Sequence, residues 1–249
     1  MNENELNNQF VNLLEELQKK FKKSDTQEIV GFIKGSSFLT DIKDLKTITG
    51  GKEFSAWWGT PEFKEIIKKL FVSIYGALDP RNGASRNRSL GQLDYFFREI
   101  GDDEIQKVKD FLSQRPSKNK ISDFIEFLVK HYFFEPNGTR NQSGAAFFTT
   151  MLLVSKFPDD YVDFKVERTK TFLTFFKENP QKIYSNREDR YADQINILGQ
   201  LVNNLSKTST FNEYFSDVTD KNAIIGALSY CYSENEGNSA SVEMGLDPR

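Results

Sequence analysis

The residues with the most chemical potential lie in one short run, Pro158-Asp159 followed by Asp163-Phe164-Lys165. Its letters spell the PD and DxK elements with which metal-dependent nucleases work: two carboxylates hold Mg²⁺ and a lysine supports the attacking water. That chemistry needs the acids on neighbouring strands, separated by a hairpin's length of chain. Here four positions separate Asp159 from Asp163, in a stretch that reads as a turn between helices, so a metal-dependent nuclease is the third and weakest reading. No other catalytic constellation stands beside it. His131 is the single histidine and has no ligating neighbours in sequence, which leaves zinc or triad chemistry without partners. Cys231, the one cysteine, sits in ALSYCYS and reads as a helix-packing residue. Neither GxxxxGK[ST] nor GxGxxG occurs, so the chain offers no phosphate-binding loop of those kinds. The expectation is a non-enzyme with no cofactor and no metal.

Residues suited to binding are more distinct. Arg81, Arg86 and Arg88 fall within eight positions with no acid between them, in LDPRNGASRNRSLG. The Asn82-Gly83 pair there predicts a turn and Ser89 a helix cap, which puts the three guanidinium groups on a loop, able to grip phosphates in bidentate fashion. The bland alternative is a solvated loop answering acids nearby. A second candidate combines Arg140 with Gly144: a polar Asn/Gly turn leads into a small-residue helix, so a guanidinium and free backbone N–H groups can meet at a phosphate-sized place. Small residues at a helix start serve close helix packing equally well. Trp57 and Trp58 are adjacent, so on a helix they point about 100° apart. One core can bury only one of them fully, and an exposed Trp can anchor a partner or stack on a base.

These residues must be positioned by helices. Leu6, Phe10, Leu13, Leu14, Leu17 and Phe21 recur at three and four, the spacing of an amphipathic helix, which ends in the basic run Lys19, Lys20, Lys22, Lys23. Pro61 is a first-turn proline with Thr60 as N-cap, and Phe63, Ile66, Ile67, Leu70, Phe71 and Ile74 line one face behind it. Further helices are predicted over residues 90–100 and 102–113, the latter with Asp102, Asp103 and Glu104 where the helix dipole favours acids. Others follow over 121–133, over the apolar stretch after Gly144, and over 187–205 and 210–232. Residues 28–32, EIVGF, fit a short strand or the middle of a helix. The count is ten or more helices with at most a token strand: an all-α, multi-helix fold over residues 1–233, with a possible sub-boundary near 80–90 or 114–120.

The totals agree. At 249 residues, 38% hydrophobic and 14% aromatic with 23 Phe, the chain can bury a large, Phe-rich core. No apolar run reaches the roughly 18 residues of a membrane span, and the N-terminus lacks a secretory pattern. One cysteine fits a reducing compartment, so a cytoplasmic location is expected. Residues 234–249, small, polar and aperiodic, read as an acidic linker or tail, as if a further domain followed. Four acids against Arg249 give that tail the whole formal charge of −3. The remainder is neutral, and any nucleic-acid contact must be a local patch.

The order of turn, Gly-Ala helix, FPDDYVDF step and basic helix resembles a segment of the helical N-terminal regions that precede the NTPase domain in McrB-like restriction proteins. The matching residues are Gly144, Ala145, Phe157, Pro158, Asp159, Tyr161, Asp163 and Arg168, about 35 residues in all, with a polar NGTRNQSG in place of a tighter hairpin. The resemblance implies a specificity or adaptor module in prokaryotic antiviral defence, partnered by DNA and by a downstream NTPase domain or subunit. The alternative is a protein-interaction scaffold of the same fold that does not bind nucleic acid.

Overall fold

Every apolar stripe in the sequence becomes a helix in the computed structural model, which describes residues 2–74, 83–134, 138, 140–162, 166–176 and 190–233. The helices are α1 (Glu3–Lys20), α2 (Thr26–Lys34), α3 (Ser37–Thr49), the single turn α4 (Phe54–Trp57), α5 (Pro61–Ile74), α6 (Gly83–Glu99) and α7 (Asp102–Leu112). They continue with α8 (Lys118–His131), α9 (Gln142–Lys156), α10 (Val166–Phe175), α11 (Arg190–Leu205), α12 (Ser209–Phe215) and α13 (Lys221–Ser233). Among the described residues the only extended pairing is an isolated antiparallel bridge between Phe134 and Arg140. The fold is all-α, as the periodicities require.

Local chemistry sets most boundaries. Asn2 and Glu5 form a reciprocal capping box at the start of α1. The Asp25 carboxylate caps α2 by accepting from Glu28 N at 2.8 Å, which resolves the ambiguous EIVGF in favour of helix. Thr60 Oγ1 accepts from Phe63 N at 3.3 Å ahead of Pro61, and the three acids of α7 occupy its first turn as expected. The basic end of α1 does more than meet solvent. Lys20 Nζ donates to Cys231 O at 2.8 Å and to Tyr232 O at 3.0 Å, so a cation on one helix satisfies the orphan carbonyls at the end of another.

Helix α9 is the hub. All twelve residues from Gly144 to Ser155 are buried, and it packs on α8, α3, α11 and α7; a helix apolar on every side has neighbours on every side. Its two threonines, which interrupt the apolar run in sequence, bond within the helix. Thr149 donates to Ala145 O and Thr150 to Phe147 O, each at 2.8 Å, so neither hydroxyl is left unsatisfied. One hydrophobic cluster runs from Leu6 to Cys231 and takes in residues on both sides of the 80–90 and 114–120 segments.

The FPDD turn is a junction in this core. Pro158 O accepts from Asn222 Nδ2 at 2.9 Å, Tyr161 Oη donates to Pro116 O at 3.4 Å, and Asp160 pairs with Arg115 at 2.8 Å. Two distant parts of the chain, the 115–116 segment and the start of α13, therefore fix one turn.

Burial of tyrosines gives the fold an alkaline limit. Tyr132, 5% exposed, has its phenol pushed up to about 12 by burial, and burial also raises Tyr161 and Tyr232. In the unfolded chain a phenol ionises near 10. The stability from keeping Tyr132 neutral is thus complete below pH ~10 and is lost as pH rises from there toward about 12, at up to ~1.4 kcal/mol per unit. Urea midpoints should hold steady to pH ~9 and then fall, less steeply in Tyr132→Phe; equal slopes in the two proteins would contradict this origin.

Candidate nucleic-acid interface

A pair of side-chain amides joins α6 to the turn between α8 and α9. Gln92, only 8% exposed, donates from Nε2 to Phe134 O at 2.7 Å, and its Oε1 accepts from Asn141 Nδ2 at 2.9 Å. Asn141 Oδ1 in turn accepts from Gly144 N at 2.9 Å and from Ser143 Oγ at 3.2 Å, while Asn141 N donates to Phe133 O at 2.9 Å. Bonds to fixed partners at both ends of each amide hold the turn in one orientation against α6.

This clamp brings two of the sequence's basic candidates to one corner. Arg140 directly precedes Asn141 and stands opposite Phe134 in the bridge. Its side chain is 62% exposed, and its contact with Glu126 Oε2 is a long one of 3.4 Å. Arg88 is one helical turn before Gln92 in α6 and in register with it, whereas Arg86, two residues earlier, is about 200° round the helix from Arg88. Both belong to a helix rather than to the loop the sequence predicts, because α6 starts at Gly83 and Ser89 is interior to it. Ser85, Asn87 and Ser89 around them are weak helix formers, so the packing of α6 on α5, and not local propensity, carries the helix back to the Asn-Gly signal. Arg81 lies outside the described residues.

Gly144 has a different role from the one its sequence context suggests. Helix α9 begins at Gln142 with Asn141 as N-cap, and the Gly144 N–H is bonded to that cap's side chain, so it does not face a phosphate. What requires glycine is the cap: a Cβ at this position would meet Asn141 Nδ2 at 2.8 Å. Trp57 likewise cannot anchor a partner. It is 1% exposed and packs against Phe63 with ring centroids 4.8 Å apart. Trp58, the extended residue that ends α4 and not a second helix position, is the half-buried one of the pair, stacked on Phe54 at 5.0 Å and set against Phe96 and Phe97.

The corner has an aromatic rim that sequence reasoning missed. Phe134 is 43% exposed and lies 5.8 Å from the Tyr95 ring, with the Arg98 guanidinium 5.6 Å over Tyr95. Following Tyr132 and Phe133, Phe134 reads as more core. The clamp itself carries no local mark in the sequence, because Gln92 lies 49 residues from Asn141.

Only part of the nuclease-like string lies among the described residues. Asp160 is paired with Arg115, Asp159 is exposed, and Asp163 and Lys165 lie outside the described residues. Among the described residues no group of three or more His, Cys, Asp or Glu side chains is arranged to hold a metal. His131 is exposed at the end of α8, beside Phe127 at 5.3 Å. None of the described helices is long and apolar enough to cross a membrane.

A second surface feature is an open groove of about 240 Å³ between α7 and α8. Its floor is the stacked pair Phe111 and Phe124, 4.0 Å apart and nearly parallel at 3°, with Phe127 beside them. Its rim carries Lys107 and Asp110 from one helix and Lys120 and Asp123 from the other, the same K-x-x-D-F string twice. No known protein family, curated protein or solved structure matches this chain.

Proposed function

We propose that this chain is a non-catalytic, all-α binding module that contacts DNA at the corner where α6 meets the α8–α9 turn. The observation that carries the reading is the Gln92–Asn141 bond, which fixes the segment bearing Arg140 against the helix bearing Arg86 and Arg88. Cations held at set spacing on rigid backbone lose little freedom when they meet phosphates. The FPDDYVDF likeness to McrB-like N-terminal regions points the same way, toward an adaptor in a defence NTPase. Its residues Tyr161 and Arg168 are buried, so that likeness concerns packing and not contact.

The test is fluorescence anisotropy with labelled DNA, single-stranded and duplex, at about 50 and 200 mM salt. The wild type should bind more weakly as salt rises. Arg88/Arg140→Ala should lose at least about tenfold in affinity at the lower salt, and its log–log salt slope should be shallower by roughly 2, one step per lost phosphate contact. Absence of binding by the wild type to either form of DNA at about 50 mM salt refutes the reading.

The alternative, a protein-binding scaffold, is favoured by the α7–α8 groove, since an apolar floor with a charged rim is the anatomy of a protein contact. Under that reading Lys120→Glu with Asp123→Lys abolishes a cross-linked complex and leaves DNA anisotropy unchanged.

A further inference from the structure

We infer that Phe134 and Tyr95 form a base-stacking platform, so the nucleic acid this corner takes is single-stranded. The inference rests on the DNA-binding reading above and narrows its ligand. Among the described residues only two large hydrophobic side chains are exposed, Val11 and Phe134. Phe134 is the aromatic one, and it stands directly across the bridge from Arg140.

Its backbone does not drift. Gln92 Nε2 holds Phe134 O at 2.7 Å, and the Tyr95 ring, 5.8 Å away at 79°, supports the phenyl from one side. Tyr95 covers one side of the ring and leaves the other to solvent, where an unpaired base supplies a matching π-face. In an uninterrupted duplex the faces of the bases are already covered by their neighbours, so a protein ring finds no partner except at an end. In a single strand each nucleotide offers a face and a phosphate together. That is the pairing Phe134 and Arg140 present.

The charged groups around the ring cancel. Arg140 and Arg98 stand against Glu126 and Glu99, and Asp94 is already paired with Lys68 at 2.6 Å. Attraction then falls to α6, where Arg88 shares a register with Gln92, and specificity for single strands to the ring.

The test compares the full chain and its variants on a labelled oligothymidylate of about 20 nucleotides and a blunt duplex of equal length at about 50 mM salt. The wild type should prefer the single strand. Phe134→Ala should weaken single-strand binding by about tenfold and duplex binding by less than about twofold. Because the side chain is exposed the variant should fold, which an unchanged near-ultraviolet circular dichroism spectrum checks. Phe134→Trp should restore the affinity, and its added emission should be quenched by the oligonucleotide. If the wild type binds DNA but Phe134→Ala changes nothing, or weakens both forms equally, the platform is overturned and phosphate contact alone remains. If the wild type binds neither form, the DNA-binding reading fails first and the platform with it.

Discussion

Phe148→Ala is expected to destabilise the protein by about 3–5 kcal/mol, a large share of the roughly 5–15 kcal/mol that holds a folded domain together. Phe148 is fully buried in α9 and is the ring on which several elements converge. Its centroid lies 4.8 Å from Phe96 of α6, 5.7 Å from Phe133 after α8, 6.2 Å from Phe97 and 6.3 Å from Phe71 of α5. Truncation removes the transfer free energy of the ring and leaves a cavity that four aromatic neighbours, themselves packed on others, cannot fill by small shifts. The urea midpoint should drop sharply with little change in slope. Phe148→Leu, which keeps most of the volume, should cost clearly less. Phe134→Ala, the same change at an exposed ring, should stay within about 0.5 kcal/mol. A loss below about 1 kcal/mol for Phe148→Ala would mean that α9 is not the hub described here.

Gly199→Val should produce the next largest loss, about 2 kcal/mol, by overpacking where Phe148→Ala makes a void. Gly199 lies inside α11, where glycine is otherwise a poor choice by up to ~1 kcal/mol relative to alanine. Its place is explained by a close approach: a Cβ there would come within 2.9 Å of the Asp160 carbonyl oxygen. That oxygen belongs to the FPDD turn, which the Arg115-Pro116 segment and Asn222 both hold, so it cannot readily retreat. In Gly199→Ala the gain in helix propensity offsets part of the clash. In Gly199→Val two further methyl groups and a stiff χ1 add to it. Thermal or urea unfolding should rank the proteins wild type, alanine variant, valine variant in falling stability. A valine variant as stable as the wild type would show that α11 and the turn can separate without cost.

The two cases mark where sequence stops being informative. Glycine inside a helical pattern is visible as an anomaly, but nothing near Gly199 identifies the carbonyl 39 positions earlier that requires it. Phe133 and Phe134 are identical letters in one run, and one is wholly buried while the other faces solvent. The run leaves α8 just before them, so the helical period no longer says which side faces in. Arg86 and Arg88 were legible as a basic pair, and their helical setting was not, because the Asn82-Gly83 turn signal competes with the helix that follows it.

By itself the sequence determined that this protein is a Phe-rich bundle of helices and where most of them start and stop. Helix formation depends on residues three and four apart, and capping on residues within one turn, so both are written locally. The acid excess of residues 234–249 and the neutral remainder could be read in the same way. Only the tertiary structure decided that Gln92 grips Asn141, that Gly144 serves a cap, that Trp57 is buried and Phe134 is not, and that α6 and Arg140 share one corner. Those facts depend on which distant surfaces exclude water from each other, and burial of that kind is a property of the whole packed chain that no window of neighbouring residues contains.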